Sequence, residues 1–160
     1  MILLNFSTVI KGDSTVASHE DWITIDSLQF GVGRAISASG GGFDRETSNP
    51  SFSEVTMTKS MDKASTELMM QAICGKSLGE ATIHFIQTGG ADAKGQHFYE
   101  IKLKEPIVSS YSVSSGGDRP SESISISFKG IQVQYNTFKD GSVAEKGEQK
   151  GWDLAKNETL

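Results

Sequence analysis

From Ile107 to Phe128 the chain reads IVSSYSVSSGGDRPSESISISF, and this stretch limits the fold more than any other. Apolar residues recur with period two on either side of a turn: Ile107, Tyr111 and Val113 share one parity in the first arm, and Ile124, Ile126 and Phe128 share one in the second. That period marks a strand with one buried face, whereas a helix would repeat near every third or fourth residue. The opposite parity is mostly serine. Between the arms, Gly116 and Gly117 admit positive φ, and Pro120 keeps Arg119 out of the helical region. The segment therefore predicts an antiparallel hairpin on which the other elements pack.

The rest of the chain continues the β pattern. Ile2, Leu4, Phe6 and Ile10 lie on one face of a first strand that ends at Lys11-Gly12-Asp13-Ser14. In the next strand, Trp22 to Val32, the apolar parity passes from Ile23 and Ile25 to Leu28, Phe30 and Val32. A one-residue slip would turn half of such a strand outward, so a bulge near Asp26-Ser27 is expected. The same change occurs across Lys129-Gly130, where Ile124, Ile126 and Phe128 give way to Ile131, Val133 and Tyr135. Bent strands favour closure of a sheet. The expected architecture is mainly β: a small antiparallel β-barrel of two sheets, spanning 1–160 as a single domain. Further strands are expected at Val55 to Thr58, around Ala81, Ile83 and Phe85, and around Tyr99, Ile101 and Leu103, the last two joined by a turn at Gly89 to Gly95.

Three segments depart from that pattern. One flanking helix is predicted over about 66–74, capped by Ser65, stopped by Gly75 and carrying an apolar stripe of Leu68, Met69, Ala72 and Ile73. Residues 33–52, GRAISASGGGFDRETSNPSF, form an unusually long extended loop. A loop of about 20 residues inside a compact domain is either functional or a sign of misassigned elements, and Phe43 and Arg45 are the side chains that favour a binding arm. The tail, about 137–160, alternates glycine with charge until Trp152 and Leu154, and predicts a partly docked segment with a frayed end. There is no internal repeat, low-complexity tract or linker.

Composition and motifs argue mainly by exclusion. A net charge of −5 gives no clustered cation for nucleic acid. Cys74 is the only cysteine, so no intramolecular disulfide forms. No apolar run approaches the roughly 20 residues of a membrane span, and Met1 to Phe6 lacks the basic start of a signal peptide. His19, His84 and His97 have no short ligand spacing and read as structural or surface residues. No Gly-x-Ser-x-Gly elbow is present, and Gly40-Gly41-Gly42 lacks the Lys-Ser or Lys-Thr of a phosphate loop. Asp13, Asp44, Glu46 and Asp92 show no calcium-loop spacing. Cys74, at a helix C-terminus, sits at the wrong end of the dipole for a stabilised thiolate. The expectation is a non-enzymatic protein with no catalytic residue, cofactor or metal.

Several runs are more specific. Thr58-Lys59-Ser60-Met61-Asp62-Lys63-Ala64-Ser65, Ile107-Val108-Ser109-Ser110-Tyr111-Ser112 and Gly117-Asp118-Arg119-Pro120-Ser121-Glu122-Ser123 resemble the Hcp family of type VI secretion. Gly12-Asp13-Ser14 followed by His19 and Trp22-Ile23 is similar to the family's amino-terminal pattern, and Gly151-Trp152-Asp153-Leu154 to its carboxyl end. The resemblance implies a tube subunit made in the bacterial cytoplasm and secreted without a signal peptide. It implies homo-hexameric rings that stack into tubes, with a VgrG-type spike, a contractile sheath and baseplate, and small effector proteins in the lumen as partners; neither nucleic acid nor membrane insertion is expected. By position, 33–52 matches the family's stacking loop, making Gly41, Gly42, Phe43, Arg45 and Glu46 the candidate ring-stacking residues. Alternatives are a phage-type tail tube protein and a monomeric ligand-binding β-barrel. The serine faces at Ser109, Ser110, Ser112, Ser123, Ser125 and Ser127 are open to three readings: lumen lining, subunit packing or contact with water. Some family members carry a toxin domain after the tube domain, for which nothing after Trp152 leaves room.

Overall fold

The computed structural model describes residues 1–38, 45–87, 96–139 and 143–160. In chain order the elements are β1 (Ile2–Phe6), β2 (Ile23–Ile25), β3 (Ser27–Gln29), β4 (Val32–Gly33), β5 (Ile36–Ala38), β6 (Arg45–Thr47), β7 (Ser51–Phe52), β8 (Val55–Ser60), α1 (Ser65–Cys74), β9 (Glu80–Ile86), β10 (His97–Lys104), β11 (Ile107–Ser114), β12 (Ser121–Ser127), β13 (Gly130–Lys139), β14 (Val143–Asp153) and β15 (Glu158–Thr159). A seven-stranded sheet runs β15-β14-β13-β10-β9-β1-β2 and a four-stranded sheet runs β11-β12-β8-β3. All pairings are antiparallel.

The alternation read from the sequence explains which residues meet. Leu4, Ile23, Ile83, Ile101 and Leu103 come from the larger sheet and Val55, Met57, Val108, Ile124 and Ile126 from the smaller, and all join one buried apolar cluster with Leu68 of α1. Each such side chain contributes about 1.5–3 kcal/mol on burial, so this interior supplies most of the driving force for folding.

Both predicted phase changes mark places where the chain leaves one sheet for the other. Only Asp26 separates β2 in the larger sheet from β3 in the smaller, and its N–H donates to the Thr58 carbonyl at 2.8 Å. Phe128 and Lys129 separate β12 from β13 in the same way, with the Lys129 N–H donating to the Lys104 carbonyl at 2.9 Å. The parity change is thus a corner between sheets. The two sheets do not close into one hydrogen-bonded ring among the described residues, so the barrel is open.

Other expectations need correction. The central hairpin forms, but the register shifts between Val108 and Ser110, so Val108 pairs with Ile126 and enters the core while Val113 is 49% exposed. One extra residue in one arm reverses the facing of everything before it. The helix begins at Ser65, which is buried and does not cap it; instead Asp62 Oδ1 accepts the Ala64 N–H at 2.9 Å. Gly75 stops the helix as expected, at φ 61°. Leu68 and Ala72 face the core, whereas Met69 is exposed and Ile73 is 69% exposed, because α1 lies against β11 along a narrow line only. The segment expected to fray is a long hairpin, β13 with β14, from Gly130↔Asp153 to Lys139↔Val143. Leu154 packs on the core and the Leu160 N–H donates to the Gly151 carbonyl at 3.1 Å, which docks the end. The turn expected at Gly89 to Gly95 lies outside the described residues.

Candidate functional site

Among the described residues, the long loop forms a two-stranded ribbon. At its root β4 pairs with β7 (Val32↔Phe52, Gly33↔Ser51), and further out β5 pairs with β6 (Ile36↔Thr47, Ser37↔Glu46, Ala38↔Arg45). These strands pair with each other and with neither main sheet. Ser48 fastens the middle, its Oγ accepting the Ala35 N–H at 3.0 Å. Of the candidate stacking residues, Arg45 and Glu46 lie in β6, while Gly41, Gly42 and Phe43 lie outside the described residues. Val32 and Ile36 are each 59% exposed along the ribbon. At its root an apolar cleft of about 250 Å³ opens between Phe30, Val32, Phe52, Tyr99, Val133 and Trp152.

Beneath the helix sits a buried ionic cluster that the sequence reading did not pick out. Lys59 is fully buried. Its Nζ donates to Glu122 Oε2 at 2.6 Å, Asp62 Oδ1 at 2.8 Å, the Ser60 carbonyl at 2.9 Å and Ser65 Oγ at 3.3 Å. The Tyr111 hydroxyl donates to Glu122 Oε1. Burial alone would raise the Glu122 carboxyl, but the hydrogen bonds from Lys59, then Tyr111 and Ser65, outweigh it and hold it below the ordinary carboxylate range. Burial, then the hydrogen bond to Glu122, pushes Tyr111 up to about 12. A signal was present: Lys59 shares the inward parity of Val55 and Met57, Glu122 shares that of Ile124 and Ile126, and the two are register partners. Lys59, Asp62 and Ser65 come from one of the family-like runs, Tyr111 from the second and Glu122 from the third. The runs that carry the resemblance therefore meet at one buried point joining β8, α1, β11 and β12.

The outward parity of the smaller sheet is a hydroxyl surface. Ser109, Ser110, Ser112, Ser123 and Ser127 are exposed and Ser125 is half-buried. Ser109 Oγ donates to Glu54 Oε2 at 2.7 Å, and Ser27 and Thr58 share a hydrogen bond at 2.5 Å.

The three histidines come together: His84 and His97 from the paired strands β9 and β10, and His19 from 65 residues before His84. His19 Nε2 lies 2.7 Å from His84 Nδ1, and His84 Nε2 lies 2.7 Å from Glu100 Oε2. His97 stacks on His84 with ring centroids 3.9 Å apart, and Trp22 lies over His84 at 4.8 Å. Burial is the main force lowering His84, to about 4, against the opposing pull of Glu100, and burial also lowers His97. For Glu100, burial acts upward, but His84 and Lys102 prevail and the carboxyl is lowered. No local motif exposes this cluster, since strand pairing of β9 with β10 (His84↔Glu100) creates it.

Comparison with known proteins places this geometry among relatives. Residues 3–135 match the family model described as "Type VI secretion system effector, Hcp". Protein hcp1 of Pseudomonas aeruginosa is 33% identical over 107 residues, a stretch covering 65% of this chain and 65% of that protein, just under two thirds of its length. Among solved structures, one described as a type six secretion system protein superposes with a TM-score of 0.89 at 26% identity, over 99% of this chain and 98% of that one. Hcp1 from Salmonella typhimurium superposes with a TM-score of 0.76 over 99% of this chain and 97% of its own; at 19% identity it bears on the fold alone.

Proposed function

The chain belongs to the Hcp family of the type VI secretion system, and from that premise we propose that it is a non-enzymatic, secreted tube subunit. Six copies close into a ring and rings stack into a tube. The tube ends in a VgrG-type spike, is driven by a contractile sheath on a baseplate, and admits small effector proteins to its lumen. Family membership over most of the chain is the observation that carries this reading.

The chain's own surface supports it. Ring closure and stacking each need a face that meets a different face of the next copy. Large apolar side chains stand exposed on two separate elements: Val32 and Ile36 on the ribbon, and Met69, Met70 and Ile73 on α1. Such patches mark interaction surfaces more often than solvated ones. The hydroxyl surface of the smaller sheet, neutral and formed of small side chains, suits loose holding of cargo. The ribbon is the stacking arm, with Arg45 and Glu46 of β6 together with Gly41, Gly42 and Phe43 as its stacking residues.

Light scattering on the purified chain tests this. Six chains of 17.2 kDa give a particle of about 103 kDa. A mass that stays at one chain across all concentrations would return the protein to the ligand-binding alternative, with the apolar cleft at the ribbon's root as the place to look.

A further inference from the structure

On the larger sheet, residues facing away from the core alternate with those in it, and His84 and Glu100 are direct neighbours on that outer face. The segment leading into β2 folds over them. It is held by backbone hydrogen bonds from Gly12 to Asp21 (2.7 Å), Ser14 to Trp22 (3.1 Å) and Asp21 to Ser14 (2.9 Å). Gly12 is required there, since a Cβ would lie 2.3 Å from the Trp22 carbonyl oxygen. This pinned segment delivers the buried His19 to the face, and the start of β10 delivers the partly exposed His97.

Hydrogen-bond partners fix the tautomers. His19 Nδ1 lies 3.4 Å from the Ala17 carbonyl, which can only accept, so the hydrogen is on Nδ1. His84 Nε2 faces the Glu100 carboxylate, whose other oxygen is 3.4 Å from Lys102 Nζ, so His84 carries its hydrogen on Nε2. His19 Nε2 and His84 Nδ1 are then both bare lone pairs, and they face each other at 2.7 Å. Two acceptors so close need a positive species between them. A proton would bridge two nitrogens, but here a third converges: one ligand atom from each of His19, His84 and His97 lies within 4.8 Å of the others.

We propose that His19, His84 and His97 form a three-histidine site for one divalent transition-metal cation of the zinc class, with a fourth position open to water. The donor set is imidazole alone, which suits zinc, cobalt, nickel or copper and not calcium or magnesium. Tetrahedral zinc with Zn–N of about 2.0–2.1 Å needs nitrogens about 3.3–3.4 Å apart, within reach of modest ring rotations from the present spacing. The outer groups are already in place: metal-bound histidines usually donate their second N–H to a carboxylate or a backbone carbonyl, as His84 does to Glu100 and His19 to Ala17. Trp22 supplies an apolar wall. Bound metal would clip the segment before β2 to β9 and β10. This inference is independent of the tube reading.

The test uses the untagged full chain in a Cys74→Ser background, because Cys74 is an exposed thiol that would bind metal by itself. After chelator treatment and dialysis it is titrated with zinc chloride by calorimetry and with cobalt chloride by visible absorption. The expected result is one ion per chain, a four-coordinate cobalt spectrum and a melting temperature that rises with zinc. His97→Ala, which leaves the His19, His84 and Glu100 contacts in place, should weaken zinc at least tenfold, and Glu100→Gln should weaken it about 10–100-fold at unchanged stoichiometry. Failure of the parent chain to take up zinc in excess, or equal affinity in His97→Ala and parent, overturns the site.

Discussion

Replacing Lys59 by methionine isolates the buried ionic cluster. The substitution keeps most of the side chain's length but removes all four donor contacts of the ammonium, leaving Glu122 buried with Tyr111 as its remaining side-chain partner apart from Ser65. Removing one member of a buried ion pair costs about 3–5 kcal/mol, because the other charge is left without compensation. At roughly 2–4 °C per kcal/mol for a chain of this size, the melting temperature should fall by about 6–20 °C. The double variant Lys59→Met/Glu122→Leu removes both charges, and a hydrophobic replacement of a whole buried pair is often near neutral. It should recover most of the loss, so that the double variant loses far less than the sum of the two single variants. Urea unfolding at one fixed chain concentration measures this, since self-association adds to apparent stability. The reasoning fails if Lys59→Met costs less than about 1 kcal/mol, within the range of an exposed pair, or if the double variant loses the sum of the two single losses.

Three further outcomes are expected. Glu122 is lowered in the folded chain, so its contribution is present above the ordinary carboxylate pKa and disappears as pH falls through its folded value; Tyr111 is raised to about 12, so its contribution holds below its unfolded pKa of about 10 and drains away between there and its folded value. Urea midpoints against pH should show both limbs, and Glu122→Gln should flatten the acid one; an unchanged acid limb in that variant contradicts the assignment. Gly147 lies where β13 and β14 shift register between Gln134 and Asn136, and a Cβ there would sit 2.0 Å from the Tyr135 carbonyl oxygen. Gly147→Ala should cost about 1–3 kcal/mol by thermal unfolding, and a neutral result would show that the ladder relaxes freely. On the tube reading, Phe43→Ala with Arg45→Ala should weaken ring stacking about tenfold or more while leaving the ring's mass unchanged; tubes of normal length in electron micrographs argue against the ribbon as the stacking arm.

Much of the fold was legible because strand alternation is a local property. Ile124 and Ile126 announce the inward face of β12, and the parity breaks at Asp26 and Lys129 locate two of the corners between sheets. What escaped depends on partners the local pattern does not name. Ser109 shifts the pairing of β11, which is invisible until β12 supplies the register. Met69 and Ile73 match a helical stripe, but the width of the buried strip is decided by β11. The segment after Asn136 reads as polar and glycine-rich, yet it forms strands because β13 offers an edge and Gly147 and Gly151 allow close approach. Lys59 and Glu122 could have been flagged as opposite charges on inward faces. His84 and His97 meet across the β9–β10 turn that the sequence marks, but His19 joins them from 65 residues away, with no trace in spacing.

The corners at Asp26 and at Phe128-Lys129 carry a mechanical consequence. Because continuous backbone also crosses between the layers at Glu105-Pro106, from β10 to β11, neither layer can slip past its fellow without stretching covalent chain and peeling hydrogen-bonded rows at each short crossing. Shear is therefore resisted by bonds as well as by packing. A column assembled from units stitched in this way would pass an axial thrust along its length with little creep in its walls.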